Sequence, residues 1–225
     1  VGPALTALAT EKHPYAVPRQ LGEVENELIR ESSGLAISRR DPKLLWTHND
    51  SGDGAIVYAF DLTGKHIGAV MLDGIWAWDW EDMASTVLDD KPTLVLGDIG
   101  DNVRKRRRIS VYFIDEPTVD QAQPVIKDGR EMFPQVKPRT LRLTYPDEAH
   151  DCESLAVDPT SGDLYLITKQ YGGDKRPTTV YRASVPKKIE GQTVELTEVA
   201  ELRYRGVTAA DMSADGRRLV IESGG

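Results

Sequence analysis

A single cysteine, Cys152, stands in a chain of 225 residues. No internal disulfide can brace the fold, and pairing does not reveal the redox compartment. No run of about 18 apolar residues occurs, so no membrane span is expected. No basic-then-apolar leader is present, and the opening VGPALTALAT reads as a mature end left by processing, which fits a secreted, periplasmic or extracellular protein. Basic residues are outnumbered, 28 against 36 acids, for a net charge of −8. A polyanion would be repelled outside local patches, which excludes nucleic acid as the general partner. Histidine is scarce too, with four in the chain and no cluster of them.

What the chain does have is a repeat. ESSGLAIS from Glu31, DWEDMAST from Asp79, DCESLAVD from Asp151 and, more weakly, GVTAADMS from Gly206 follow one pattern. Ser33, Glu81, Glu153 and Thr208 share one slot in it. Leu35, Met83, Leu155 and Ala210 share the next but one. A second apolar strand follows each copy: LLWTHND, TLVLGDIGDN, DLYLITKQ and RRLVIES. A repeat of roughly 50 residues built of short strands and polar turns is the mark of a β-propeller blade. The fold class is therefore all-β, a propeller of four-stranded blades.

Residues 1–20, with three prolines, read as an N-terminal arm and residues 21–225 as the propeller. LGEVENELI (21–29) is expected to be an outer strand that closes the ring. Blade one runs over about 33–73, blade two over 81–145 with a proline-rich surface excursion, and blade three over 153–204 with TVELTEVAELRY as its outer strand. A fourth blade contributes two strands. Three and a half blades plus a closing strand would leave strand edges unpaired in water. About a hundred further residues would complete a six-bladed ring, so a second polypeptide is expected to supply them.

Propeller geometry brings the openings of inner strands and the second-to-third-strand loops to one mouth of the central channel. Glu31, Asn49, Asp50, Asp79, Glu81, Asp98, Asp101, Asn102, Asp151 and Glu153 all fall there. Two unit charges about 4 Å apart repel by roughly 4 kcal/mol at an effective dielectric of 20. So many carboxylates must be protonated, solvated or held by a cation. All-oxygen donors point to Ca²⁺, with Mg²⁺ disfavoured by its stricter octahedron. Glu81 and Glu153 are the first choice of ligand, followed by Asp98, Asn102 and Asn49; the alternative is that these acids cap turns around a water-filled channel.

His48 and His150 are the histidines at the mouth, each either a general base beside an acid such as Asp151 or a structural turn residue. Glu31, Asp79, Lys169 and Arg107 stand where a small-molecule substrate would be bound. The run from Arg104 to Arg108 either takes an anion or balances the neighbouring acids in solvent. Trp76, Trp78 and Trp80 serve either inter-blade packing or an aromatic wall for a sugar or acyl ligand. Cys152 alternates away from the channel and is expected in the core.

E-x-S-G-L-A, W-E-D-M-A and D-x-E-S-L-A-V-D-P-x-S-G-D-L-Y resemble blade motifs of bacterial, mostly exported six-bladed propellers. These include the lactonase and gluconolactonase-like families and the esterase-like phytase domains. In the lactonase-like families a channel Ca²⁺ is held by a glutamate at an inner-strand opening together with asparagine and aspartate from other blades; Glu81 and Glu153 match the glutamate slot by position, while Ser33 and Thr208 do not carry the expected Asn or Asp. The resemblance implies a calcium-supported hydrolase of an ester, lactone or phosphoester, with the metal polarising the substrate oxygen. The alternative function is a non-catalytic propeller that binds a protein or glycan on the same face.

Overall fold

The structure is a computed structural model that describes residues 19–171 and 176–224. All but the last two residues of the expected arm thus lie outside the described residues. Blade one comprises β1 (Ser32–Ile37), β2 (Leu44–Asn49), β3 (Ile56–Asp61) and β4 (His66–Leu72), paired in that order and antiparallel throughout. Blade two opens with β5 (Trp80–Leu88), β6 (Lys91–Asp98) and β7 (Arg108–Asp115). Its excursion holds a 3-10 turn at Asp120–Ala122, a small hairpin of β8 (Val125–Lys127) and β9 (Arg130–Met132), and β10 (Gln135–Val136). The outer strand is β11 (Arg139–Thr144). Blade three is built from β12 (Cys152–Val157), β13 (Leu164–Thr168) and β14 (Thr178–Ala183), then β15 (Gln192–Glu195) and β16 (Thr197–Leu202). A last pair, β17 (Val207–Met212) and β18 (Leu219–Ser223), starts a fourth blade. This is a β-propeller arrangement. Among the described residues, no helix is long and apolar enough to cross a membrane.

The inner strands β1, β5, β12 and β17 stand side by side, and alternation along them decides what is buried between blades. Trp46, Val57, Trp80, Met83 and Leu96 fill the space between blades one and two. Val95, Phe113, Leu155, Leu166 and Tyr181 do so between two and three. Ala156, Ile167, Val180, Val207 and Met212 do so between three and four. A buried carboxylate ties the lower edge of the first pair: Glu116 accepts from Trp46 Nε1 at 3.0 Å, from the Arg39 amide at 2.9 Å and from the Ser38 hydroxyl.

Two expectations fail here. Residues 21–29 form no strand. Glu25 instead donates its amide to Gly64 O at 3.0 Å, Asn26 makes an Asx turn with the Leu28 amide at 2.9 Å, and Ile29 packs on Ile56 and Tyr58. The segment covers the outer face of blade one. Residues 193–204 are two strands rather than one. β15 adds in parallel to β11 of blade two, and after the buried Leu196 the chain crosses to blade three as β16. β10 likewise adds in parallel to β4. In both cases the connection before a blade's outer strand reaches back to extend the previous blade.

One irregularity recurs in all four inner strands. The pairing slips by one residue between Ser32 and Leu35, Trp80 and Asp82, Cys152 and Ser154, and Val207 and Ala209. Each slip is a β-bulge at the slot shared by Ser33, Glu81, Glu153 and Thr208, and a bulge re-aims the side chain it carries.

Candidate metal centre

The bulges and the loops beside them collect acids at the end of the blades where the inner strands begin. Asp50 comes from the β2–β3 loop, and Asp79 and Glu81 from the start of β5. Their carboxylate oxygens lie within 4.8 Å of one another. Oxygens that far apart can share an ion bound at about 2.4 Å, the Ca²⁺ range. Glu153 and Asp151, from the start of β12, face Glu81 closely enough to repel it. Burial, then Glu153 and the three aspartates, push the Glu81 carboxyl up to about 9. Burial and Asp50 push Asp79 up to about 6, against the pull of Arg106. Gly100 makes the crowding possible. A Cβ there would stand 2.3 Å from Glu81 Oε1 and 2.7 Å from Asp79 Oδ2. Gly100→Ala is therefore expected to spread the carboxylates and weaken calcium binding by about tenfold, with little loss of thermal stability when metal is absent; calorimetric titration and a melting curve read the two effects.

Two cations hold the remaining acids. Lys169 Nζ bonds Glu153 Oε1 and lies 4.6 Å from the centroid of the Tyr171 ring. Arg106 donates to Asp98 Oδ1 at 2.6 Å and to Gly100 O at 2.8 Å, while its amide bonds Asp101. The Asp101 amide in turn donates to Asp151 Oδ1 at 3.0 Å. Asp98 also accepts from the Tyr112 hydroxyl at 3.3 Å, so each of its oxygens already takes a bond within the protein. The trio of Asp50, Asp79 and Glu81 offers only oxygen donors, the type a hard cation such as Ca²⁺ takes.

Other expected residues lie elsewhere. Asn49 is saturated: its Oδ1 accepts from the Arg30 amide at 3.0 Å and the Glu31 amide at 3.3 Å, and its Nδ2 donates to Leu28 O and Asp53. No lone pair is left for a metal. His48 is wholly buried, edge-on to Trp80 at 5.3 Å, with Nδ1 2.9 Å from Asn49 O. Burial lowers its pKa, and it is a neutral packing residue without access to the mouth. His150 is buried between Tyr145 and Tyr181, with Nε2 3.0 Å from both Asp147 Oδ2 and the Tyr181 hydroxyl. It faces these groups rather than the acids. Asn102 and Glu31 are exposed. Arg107 lines an open cleft of about 590 Å³ with Arg106, Arg108, Tyr145 and Glu195; no carboxylate of the cluster lines it, though Arg106 reaches from it to Asp98. Cys152 is buried as expected, and burial pushes its thiol up to about 12.

Asp82, beside Glu81, was missed altogether. Its Oδ2 accepts from the Leu155 amide at 2.8 Å and the Ala210 amide at 3.2 Å, and its Oδ1 from the Met83 amide at 2.8 Å. One carboxylate thus joins the inner strands of three blades. Burial pushes it up to about 8 against the pull of those three donors. Asp79, Asp82 and Glu81 all titrate higher folded than the roughly pH 4 of unfolded acids. The stability they lend is full below about pH 4 and is lost as pH rises through each folded value. The metal-free melting temperature is expected to fall from about pH 4 to pH 9, between the unfolded acid range and the highest folded value of these groups, and added Ca²⁺ to flatten that fall; melting curves with and without chelator check it.

No protein-family model and no curated protein matches the chain. Among solved structures it is similar to the hydrazine synthase of Kuenenia stuttgartiensis, with a TM-score of 0.44 and 14% identity over 84% of this chain and 49% of that one. It is also similar to the Dos1 propeller, with a TM-score of 0.35 and 11% identity over 82% of this chain and 50% of that one. The chain spans about half the length of each.

Proposed function

We propose that the acidic mouth binds Ca²⁺ and supports hydrolysis of an ester, lactone or phosphoester. The observation that supports this reading is the trio of Asp50, Asp79 and Glu81, with ligand oxygens within 4.8 Å of one another. Bound calcium would polarise the substrate's carbonyl or phosphoryl oxygen. Glu153 is the base. Burial raises its pKa while Lys169 keeps its charged form available, so it can take a proton from an attacking water. Lys169 balances the charge that develops beside it.

The test is turnover of a lactone, aryl-ester and aryl-phosphate panel. EDTA should abolish it and Ca²⁺ restore it, and Glu153→Gln should lower kcat by about 100-fold with calcium affinity little changed. Turnover that is indifferent to EDTA, or its absence on the calcium-loaded protein across the panel, contradicts the reading.

We also propose that the protein works in an exported setting and that a second polypeptide completes the ring, six blades in all. Leu35 and Ile37 on the far side of β1 are 56% and 42% exposed, and Val220 on β18 is 63% exposed. These are apolar positions that a neighbouring blade would cover. The native mass of the purified protein reads whether such a polypeptide co-purifies.

A further inference from the structure

Among the described residues, the strongly exposed aromatic side chains are Trp76 (74%), Trp78 (70%), Tyr171 (55%) and Tyr204 (59%). All four lie at one end of the blades. Trp76 and Trp78 belong to the link from the end of β4 to the start of β5, Tyr171 to the β13–β14 loop, and Tyr204 to the link from β16 to β17. In an up-and-down blade each of these connections crosses the end where the inner strands begin, which is the end that carries the acids. At the opposite end the β3–β4 turn exposes Leu62 and the last residues of β5 expose Val87, with no strongly exposed aromatic ring in either.

The rings form two groups joined by the mouth itself. Tyr171 lies against Gly206, two residues from Tyr204: a Cβ on Gly206 would come within 3.2 Å of its ring, and the Gly206 amide bonds Gln170 O at 2.9 Å. Lys169 bridges the Tyr171 ring to Glu153. Glu153 faces Glu81, Glu81 adjoins Asp79, and Trp78 is the residue before Asp79. These links set a strip with exposed aromatic residues on either side of the acidic centre: Tyr171 is reached through Lys169 and Glu153, and Trp78 is the chain neighbour of Asp79.

We propose that this strip binds a carbohydrate chain laid across the mouth. Sugar rings present flat C–H faces that stack on tryptophan and tyrosine, and a rim of hydroxyls that suits carboxylates, an ammonium and a calcium ion. The strip is a run of separate stacking platforms with charged groups between them, whereas an acyl chain would call for a continuous apolar groove. Binding at both ends needs an oligomer, since a single sugar covers only one platform. No turnover is required, so the proposal and the hydrolase reading can fail separately.

The test is a set of soluble oligosaccharides (neutral gluco-, manno- and xylo-oligomers, N-acetylglucosamine oligomers and uronate oligomers) titrated into the full chain with Ca²⁺ and with EDTA. Calorimetry and intrinsic tryptophan fluorescence read binding, and a basic peptide and a random acidic peptide serve as controls. At least one oligomer should bind, shift the tryptophan emission and bind at least tenfold more tightly than its monosaccharide. Trp76→Ala/Trp78→Ala should weaken it at least tenfold, and Tyr204→Ala by a few fold, with unchanged melting temperatures since these side chains are mostly in water. No binding by any oligomer, binding untouched by the double tryptophan variant, or capture of the basic peptide in its place overturns the proposal.

Discussion

Replacing Glu81 by glutamine is expected to lower calcium affinity roughly 100-fold, because affinity in an all-oxygen site tracks the charge of its ligands. The same change should raise the metal-free melting temperature at alkaline pH. In the metal-free protein the Glu81 carboxyl, pushed up to about 9, faces Glu153, Asp50, Asp79 and Asp151. Above that pH the neutral amide removes a buried charge that nothing compensates. A stabilised but metal-deaf variant would separate a ligand from a structural acid; loss of stability with calcium affinity intact would show that Glu81 is a turn-capping residue. Calorimetric titration and melting curves at pH 7 and 9 report both quantities.

The second large effect concerns Asp82. Asp82→Ala leaves the amides of Met83, Leu155 and Ala210 without their acceptor. At about 1–3 kcal/mol for each buried donor left unpaired, the expected loss for the three is roughly 3–9 kcal/mol, a large share of a typical 5–15 kcal/mol stability. A chain of this size would lose on the order of 10–20 °C in melting temperature. Asp82→Asn keeps one carbonyl oxygen for Leu155 and Ala210 and should lose about half as much. Denaturant titration measures it, and a loss below about 1 kcal/mol in Asp82→Ala would mean the three inner strands are held by apolar contacts alone.

The contrast between these two neighbours shows what the sequence could and could not disclose. Glu81 was visible because it recurs: Ser33, Glu153 and Thr208 occupy its slot, and a repeat converts sequence position into position around an axis. The bulge that aims all four side chains was invisible, because it is a relation between paired strands, one residue long. Asp82 has no counterpart acid in the other copies, and its partners Leu155 and Ala210 lie far along the chain. Nothing in its local pattern distinguishes it from a solvated turn acid.

Asn49 and Asp98 are less open to a cation than their loop positions suggest, for a related reason. Residue type and loop position were right, but neighbouring amides, Arg106 and Tyr112 had already taken their oxygens. Residues 193–204 read as one strand because no glycine, proline, asparagine or aspartate interrupts them. Only the parallel pairing of β15 with β11 reveals that the first half belongs to the previous blade. The tryptophans of IWAWDW divide likewise: Trp80 is fully buried between blades, while Trp76 and Trp78 stand in solvent. Alternation alone gives no sign of that split.

Calcium titration of the metal-stripped chain by calorimetry at two pH values is the most direct measurement. One ion per chain should bind, more tightly at pH 9 than at pH 6 and with protons released to the buffer, and binding should be lost together in Asp50→Asn, Asp79→Asn and Glu81→Gln. Heat absent at millimolar calcium, or an affinity that none of the three substitutions changes, would show that these carboxylates gather without a cation to hold them.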